Sequence, residues 1–319
     1  MLIAGGAAYY LLFYKPAHKS LGEPAYVLPE SVELVDTPAE VRIVVGTVRR
    51  GERLEVIQRT RNWAEIRTAQ RVRGWIELKN LLDSATYQAG ERLLDSLADL
   101  SPQAEGHTNG VVNLRLEPAR DAAQLTQLPA NDKLQVFARR LVERPTTNDE
   151  PAKIRDAWYL IRAESHAGWI LGKFVALDVP EALARYAQGT NMVAWTVIKT
   201  VNDDGKQVPE YLVADRMGSQ DVDFTHIRVF TWWPKHQEYV TAYVESSLNG
   251  YFPIRVTPQG GTPYFRLRLK DDDGQEFQKV YGLFDTLTRV VGTVPGWESD
   301  AMPPPPEPRH PASLRRRRR

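Results

Sequence analysis

The feature that most constrains the fold of this chain is an internal repeat at a spacing of 80 residues. Six positions of an early segment meet six similar positions of a later one: Val32, Leu34, Pro38, Val48, Leu54 and Val56 meet Val112, Leu114, Pro118, Leu128, Leu134 and Val136. The turn residue Gly51 meets Asn131, and both residue types tolerate a positive φ. Because the apolar positions keep the same phase, we expect both segments to fold into the same small barrel.

The second copy carries an insertion. After position 136 the spacing between matching residues is larger than 80. Trp63 matches Trp158 at a spacing of 95 residues, and Gly74-Trp75-Ile76 matches Gly168-Trp169-Ile170 at a spacing of 94. The added stretch, 139–157, is polar and contains two prolines. Because burial would leave its backbone polar groups without water, we expect an exposed loop or a protruding hairpin there.

Turn residues and strand-like apolar patterns predict an all-β chain. The two barrels span 26–83 and 108–178, and a helical linker at 84–105 joins them, with a helix that runs to Ser101 because Pro102 stops it. A separate antiparallel β domain is expected at 186–297. Its three hairpins flank short turns and pair 193–201 with 211–213, 227–233 with 239–244, and 265–269 with 277–281. This third unit resembles no characterised family.

The order of elements in the two copies resembles the bacterial SH3 domain family. That family has an opening strand that ends near a proline, a strand with a tryptophan, and a Gly-Trp-hydrophobic strand before a short final one. The segments that carry the resemblance are Val112-Asn113-Leu114-Arg115-Leu116-Glu117-Pro118, Asn62-Trp63-Ala64-Glu65-Ile66-Arg67, Trp158-Tyr159-Leu160-Ile161-Arg162, Gly74-Trp75-Ile76 and Gly168-Trp169-Ile170. The resemblance implies binding of peptidoglycan or peptides in or near the cell wall.

Aromatic side chains are the candidate ligand-binding residues. A tryptophan has a large apolar surface and an indole donor, so it suits either a core or a ligand groove. In the barrels the candidates are Trp63, Trp75, Trp158, Tyr159 and Trp169. In the third unit they are Trp232, Trp233, Tyr239 and Tyr243. Adjacent strand residues face opposite sides, so one of Trp232 and Trp233 is expected to face outward, while Tyr239 and Tyr243 are expected to share a face.

The sequence offers little for catalysis or metal binding. The chain has no cysteine, which excludes thiol catalysis and disulfides, and its six histidines form no local metal motif. One hydrolytic or metal site is conceivable, formed by Asp221, Asp223, His226 and His236. The simpler interpretation is that these four are polar surface residues that flank strands. The aspartates at 203–204 and 271–273 are better explained by Asp-Gly turns than by calcium. We therefore expect no cofactor, no metal and no enzymatic activity.

The two termini bear on location. The uncharged run 2–14 would span about 20 Å as a helix, too short to cross a bilayer core of roughly 30 Å alone. We interpret residues 1–22 as a membrane anchor that lacks upstream residues; a packed or disordered arm is the alternative. At the other end, residues 298–319 are rich in proline and finish with five arginines, which predicts a disordered tail. Without these arginines the chain has 36 basic and 40 acidic residues, so nucleic acid is not an expected partner.

Three functional hypotheses follow. The main one is a non-catalytic binding or scaffold protein, anchored in the cell envelope with its body outside the cytoplasm, whose barrels bind cell-wall glycan, peptide or a protein partner. The second is an accessory or cryptic hydrolase with its site in the third unit. The third is a cytoplasmic scaffold that binds acidic partners through the arginine tail.

Overall fold

The computed structural model describes residues 22–144, 155–218, 221–299 and 302–303. These residues form strands throughout, with only two α-helices in the described chain: α1 (Ser84–Asp95) and α2 (Glu181–Ala187). The all-β prediction is confirmed. By compactness the described chain divides into a first unit with residues up to 98, 110–132 and 165–170, and a second unit with 99–109, 133–164 and 171 onward.

The first barrel is a seven-stranded antiparallel sheet in the order β3-β2-β6-β5-β4-β1-β7. Its strands are β1 (Glu23–Val27), β2 (Ser31–Val35), β3 (Val44–Arg49), β4 (Arg53–Arg59), β5 (Trp63–Arg67), β6 (Arg73–Glu77) and β7 (Leu81–Asp83). Alternate residues point inward and are almost completely buried, among them Leu34, Val48, Leu54, Ile66 and Ile76. The repeat positions therefore form the core, as the period-2 pattern predicts.

The second barrel repeats this topology in the order β10-β9-β13-β12-β11-β8-β14. Its strands are β8 (Ala104–Thr108), β9 (Val112–Arg115), β10 (Gln124–Leu128), β11 (Lys133–Glu143), β12 (Arg155–Ala163), β13 (His166–Leu171) and β14 (Val175–Leu177). Every strand takes the place of the strand seven earlier. The likeness includes the loop after the second strand, where Asp36 N donates to Ile43 O at 3.0 Å and Leu116 N donates to Ala123 O at 2.9 Å.

The insertion lengthens one hairpin of the second barrel. Strands β11 and β12 stay paired out to Glu143 and Arg155, so the flanks of the predicted insertion are strands of a hairpin. Residues 145–154 lie outside the described residues, and their exposure stays a prediction.

Helix α1 is shorter than the sequence predicts. It begins after Asp83, whose carboxylate accepts a hydrogen bond from Thr86 N at 2.9 Å, and it ends at Asp95 instead of Ser101. The Ser96 hydroxyl donates to Leu93 O at 2.7 Å, a side-chain bond that competes with continued helix. The chain then turns and buries Leu97.

The separate antiparallel β domain predicted after the second barrel is called the third domain below. It consists of two four-stranded antiparallel meanders in the orders β15-β16-β17-β18 and β19-β20-β21-β22. The strands are β15 (Met192–Asp203), β16 (Lys206–Asp215), β17 (His226–Trp233), β18 (Glu238–Glu245), β19 (Gly250–Gln259), β20 (Thr262–Lys270), β21 (Glu276–Phe284) and β22 (Leu287–Pro295). Buried residues of both sheets form one core, with Leu212 and Ile227 from one sheet and Phe265 and Tyr281 from the other. The three predicted hairpins are present as β15–β16, β17–β18 and β20–β21.

Within the described ranges, no helix has the length and apolar character that a bilayer crossing requires. The predicted anchor at 2–14 and the arginine run 315–319 both lie outside those ranges.

Candidate functional site

The first barrel carries its two tryptophans on the outer face of the sheet. In β5, Ala64 and Ile66 point into the core, so Trp63 points outward. In β6, Ile76 points into the core, so the adjacent Trp75 also points outward. Both indoles are half-buried. They lie on neighbouring strands, and each is partly accessible to solvent.

This surface continues across β2 to the sheet edge. Val35 lies directly opposite Trp75, and Val44 lies directly opposite Val35, so the three side chains share one face. The Arg42 guanidinium lies 5.2 Å from the centre of the Trp63 ring, within cation–π range. We call this surface, formed by Val35, Arg42, Val44, Trp63 and Trp75, the tryptophan face.

The loop that brings Arg42 to this face is fixed at its base. The Asp36 carboxylate accepts a hydrogen bond from Ile43 N at 2.8 Å, in addition to the backbone bond between the same two residues. The loop is also unusually apolar, because Val41 is 88% exposed and Ile43 is 68% exposed. Exposed apolar side chains grouped in this way are typical of a contact surface.

The equivalent surface of the second barrel is closed. Arg115 takes the place of Val35 and Gln124 the place of Val44, again opposite each other and opposite Trp169. The Arg115 guanidinium donates to Ala122 O at 2.7 Å and thereby ties the loop to the sheet. Trp169 is only 7% exposed and Trp158 only 2%. Of the four repeated tryptophans, the structure leaves only those of the first barrel accessible.

In the second unit, strands of the second barrel pack against the third domain. Strand β12 is buried on both faces, since Trp158 and Tyr159 are buried although they point to opposite sides. The buried Gln103 amide accepts from Ile254 N at 2.7 Å and donates to Ile254 O at 3.1 Å. A buried ion pair joins Arg139 to Asp223 at 3.0 Å. These residues therefore have a structural role.

The tryptophans of the third domain lie near the β17–β18 hairpin. Trp232 donates from its indole nitrogen to the Asp203 carboxylate at 2.8 Å and contacts Tyr239 edge-on, with ring centres 5.1 Å apart. Trp233 is 42% exposed and lies over the His236 ring.

The prediction that Tyr239 and Tyr243 share a face is wrong. Strand β18 contains a bulge at Ala242. Val229 of β17 pairs with Tyr243 and Phe230 pairs with Thr241, so Ala242 between them has no partner in β17. One extra residue moves every later side chain to the other face. Tyr239 consequently packs beside Tyr211, whereas Tyr243 packs against the domain core.

Tyr243 belongs to a polar cluster around Glu245. The carboxylate of Glu245 accepts from the hydroxyls of Tyr243 and Tyr281, each at 2.8 Å, and pairs with Lys279. Burial alone would raise the pKa of Glu245, but these three donors outweigh it and lower that pKa. Burial and the adjacent carboxylate raise the pKa of Tyr243 to about 12, so its hydroxyl remains a donor. Sequence reasoning missed this cluster because its members are far apart in the chain.

The four residues proposed for a hydrolytic site have other partners. Asp223 pairs with Arg139 and Asp221 pairs with Arg155. The ring of His236 lies on Trp233, and Nδ1 of His226 is hydrogen-bonded to the Thr225 hydroxyl at 3.1 Å. The described His, Asp and Glu side chains include no group of three or more that could hold a metal ion.

Two of the aspartates considered for calcium have carboxylate oxygens that accept hydrogen bonds from protein groups. One carboxylate oxygen of Asp271 accepts from the backbone of Asp273 and Gln275, at 3.1 and 2.8 Å. One oxygen of Asp203 accepts from Trp232 and Gln237, each at 2.8 Å. The Asp271 bonds follow the Asx-turn chemistry that the Asp-Gly sequence indicates, whereas the Asp203 bonds join its turn to side chains of Trp232 and Gln237.

Comparison with solved structures finds proteins of similar extent but weak similarity. NlpC2 from Trichomonas vaginalis is 10% identical, with 71% of this chain and 97% of that chain covered and a TM-score of 0.18. NlpC1 from the same organism is 11% identical, with 89% and 96% covered and a TM-score of 0.18. An NlpC/P60 family protein from Bacillus cereus is 10% identical, with 85% and 98% covered and a TM-score of 0.20. Scores of this size support no argument about fold or function.

Comparison with curated protein sequences finds no match. The model of the bacterial SH3 domain family matches residues 29–83. This range contains β2 to β7 and all five residues of the tryptophan face. Residues 29–83 are therefore a bacterial SH3 domain.

Proposed function

We propose that the protein is a non-catalytic binding protein of the cell envelope, and that its first barrel binds peptide or peptidoglycan ligands on the tryptophan face. The bacterial SH3 domain at 29–83 supports a binding role. The observation that carries the proposal is the difference between the two copies. Trp63 and Trp75 remain partly accessible, whereas Trp158 and Trp169 are buried.

The tryptophan face suits shallow recognition of an extended ligand. The indoles of Trp63 and Trp75 offer flat apolar surfaces on which peptide groups or sugar rings can stack. Val35 and Val44 extend this apolar strip to the sheet edge, and Arg42 supplies donors for carbonyl or carboxylate oxygens. A partly open face of this kind favours moderate affinity and depends on a few anchor residues.

The second barrel has a structural role in this proposal. Gln103, which directly precedes β8, is hydrogen-bonded to Ile254 of the third domain, and the tryptophans of this barrel are buried. The envelope location rests on the apolar run 2–14, which would hold the binding domain near its ligand.

Cosedimentation of the full-length protein with purified peptidoglycan tests the proposal. We expect Trp63→Ala and Trp75→Ala each to weaken binding by about tenfold or more, as loss of an aromatic anchor does. Trp233→Ala is the matched control, because it removes an exposed tryptophan from the third domain and should bind as the wild type does. Unchanged binding by both barrel variants would refute the role of the tryptophan face.

The non-catalytic part of the proposal needs its own assay. Purified full-length protein should release no fragments from peptidoglycan, peptides or glycans, since catalysis requires acid, base or nucleophilic groups within reach of one another. Turnover that disappears in His226→Ala or Asp221→Asn would instead establish the hydrolase alternative.

A further inference from the structure

The first unit contains a cavity of about 380 Å³ that is separate from the tryptophan face. Its apolar wall includes Val27, Leu82, Leu94 and Leu125. Arg50 and Glu91 supply its basic and acidic groups, and the polar side chains of Tyr87, Ser165 and His166 also line it. A volume of this size lies within the range of small-molecule sites, which combine apolar walls with a few placed polar groups.

Among the described residues, neither the Arg50 guanidinium nor the Glu91 carboxylate forms a side-chain hydrogen bond or an ion pair. Arg50 follows β3 in the turn to β4, and its Nε atom is buried without an acceptor. Glu91 projects from α1 and forms no ion pair with Arg50, although both line the same cavity. A buried guanidinium nitrogen without an acceptor is unfavourable, and a bound anion would satisfy it.

The walls of the cavity are held in place without a ligand. The rings of Tyr26 and Tyr87 stack with centres 3.9 Å apart and fix α1 against β1. A Cβ atom at Gly90 would come within 3.1 Å of the Leu125 side chain, so the glycine lets α1 approach β10 closely. Because the walls are already ordered before a ligand binds, little binding free energy is lost in ordering side chains.

We propose that this cavity binds a small zwitterion of the amino-acid class with an apolar side chain, either a free amino acid or a short peptide. The ligand carboxylate pairs with Arg50, its ammonium group pairs with Glu91, and its side chain packs on the leucines. The second barrel has no equivalent site, because Ala130 occupies the position of Arg50.

Titration calorimetry of the full-length protein with matched probes tests the charge pattern. Leucine and leucyl-leucine carry both charges, 4-methylpentanoate lacks the ammonium group, and leucinamide lacks the carboxylate. We expect leucine or leucyl-leucine to bind, and each probe with one charge to bind about tenfold or more weakly, as loss of one charge-assisted contact predicts. The tighter of the two zwitterions identifies the free amino acid or the peptide as the ligand.

Variants assign the binding to this cavity. Arg50→Gln and Glu91→Gln should each weaken leucine or leucyl-leucine binding by about tenfold, whereas Arg49→Gln, at the adjacent exposed arginine, should not change it. Trp63→Ala should also leave it unchanged, which separates this site from the tryptophan face. Glu91 lies on the exposed side of α1, so Glu91→Gln remains informative should Arg50→Gln fail to fold.

Three results would overturn the proposal. One is the absence of binding by both zwitterions at millimolar concentration. Another is leucinamide binding as tightly as leucine. The third is full affinity in both Arg50→Gln and Glu91→Gln.

Discussion

At the scale of single residues, the same residue type has different roles in the two copies. Trp75 and Trp169 occupy equivalent positions, but Val35 beside the first leaves it half-exposed, whereas Arg115 beside the second closes the surface. The neighbouring residue therefore determines whether the tryptophan remains accessible to solvent or is buried. A sequence comparison that aligns only the tryptophans does not show this difference.

We expect the two tryptophans to differ in their contribution to stability. Trp169→Ala leaves a cavity in a packed core and should lower the free energy of unfolding by about 3–5 kcal/mol. Trp75→Ala removes a half-exposed side chain and should cost about 1 kcal/mol. Urea unfolding of the full-length variants measures both values. Equal losses would contradict the assignment of distinct roles.

Glu245 gives a pH-dependent prediction. Because hydrogen bonds lower its pKa in the folded state, its contribution to stability is present above its unfolded pKa of about 4.3 and is lost as the pH falls through the folded value. The stability gap between the wild type and Glu245→Gln should therefore be largest near neutral pH and shrink below about pH 4. Urea unfolding over this range measures the gap, and a gap independent of pH would show that the charge of Glu245 is unimportant.

At the scale of elements, loops and bulges decide which side chains meet. Both barrels contain a bulge at the same place, between Val56 and Gln58 in β4 and between Val136 and Ala138 in β11. The third domain has another bulge that separates Tyr239 from Tyr243. The position of a bulge depends on the partner strand as much as on local sequence. The alternation of side chains along a strand therefore predicted the wrong face for Tyr243.

The loop at 36–43 should control binding through Arg42. Asp36→Ala removes the acceptor of Ile43 N and should cost about 1 kcal/mol of stability. It should also weaken peptidoglycan binding, because Arg42 would no longer be held over Trp63. Glu40→Ala, an exposed change in the same loop, is the control. If Asp36→Ala lowers stability but binds fully, the loop does not position Arg42 for the ligand.

At the scale of the whole molecule, the two compact units differ in what their described surfaces offer. The first unit contains the tryptophan face and the cavity with Arg50 and Glu91. In the second unit, the side-chain amide of Gln103 forms hydrogen bonds with the buried backbone N–H and C=O groups of Ile254. One copy of the duplicated fold thus keeps its tryptophans accessible, and the other is hydrogen-bonded to the third domain.

Gln103 should be among the most sensitive polar positions. Gln103→Ala leaves the Ile254 N–H and C=O groups without their side-chain partner, and an unsatisfied buried group costs about 1–3 kcal/mol. Gln135→Ala, at an amide on the barrel surface, is a milder comparison. Calorimetric unfolding of both variants measures the difference. A melting temperature for Gln103→Ala equal to that of the wild type would show that this contact is dispensable.

The all-β class and the repeat could be predicted because they depend on short-range patterns. Alternating apolar residues and Asp-Gly turns define β15–β16 and β20–β21 locally. Strand β19 was missed because Pro253 and Pro258 interrupt its pattern. The contact of Arg42 with Trp63 and the shared cavity of Arg50 and Glu91 could not be predicted, because each depends on where separate elements meet.

Strand β3 ends the first sheet, and its outer edge carries Val44 and Val45, both exposed. Two molecules that meet along such edges can join their sheets, which is a common route to self-association in concentrated solution. Arg42 and Arg49 flank this edge with like charge, so repulsion opposes the encounter when salt is low. Because the screening length falls to about 8 Å at physiological salt, we expect light scattering to show more self-association as salt rises. Replacing Val44 with lysine should keep the protein monodisperse under the same conditions.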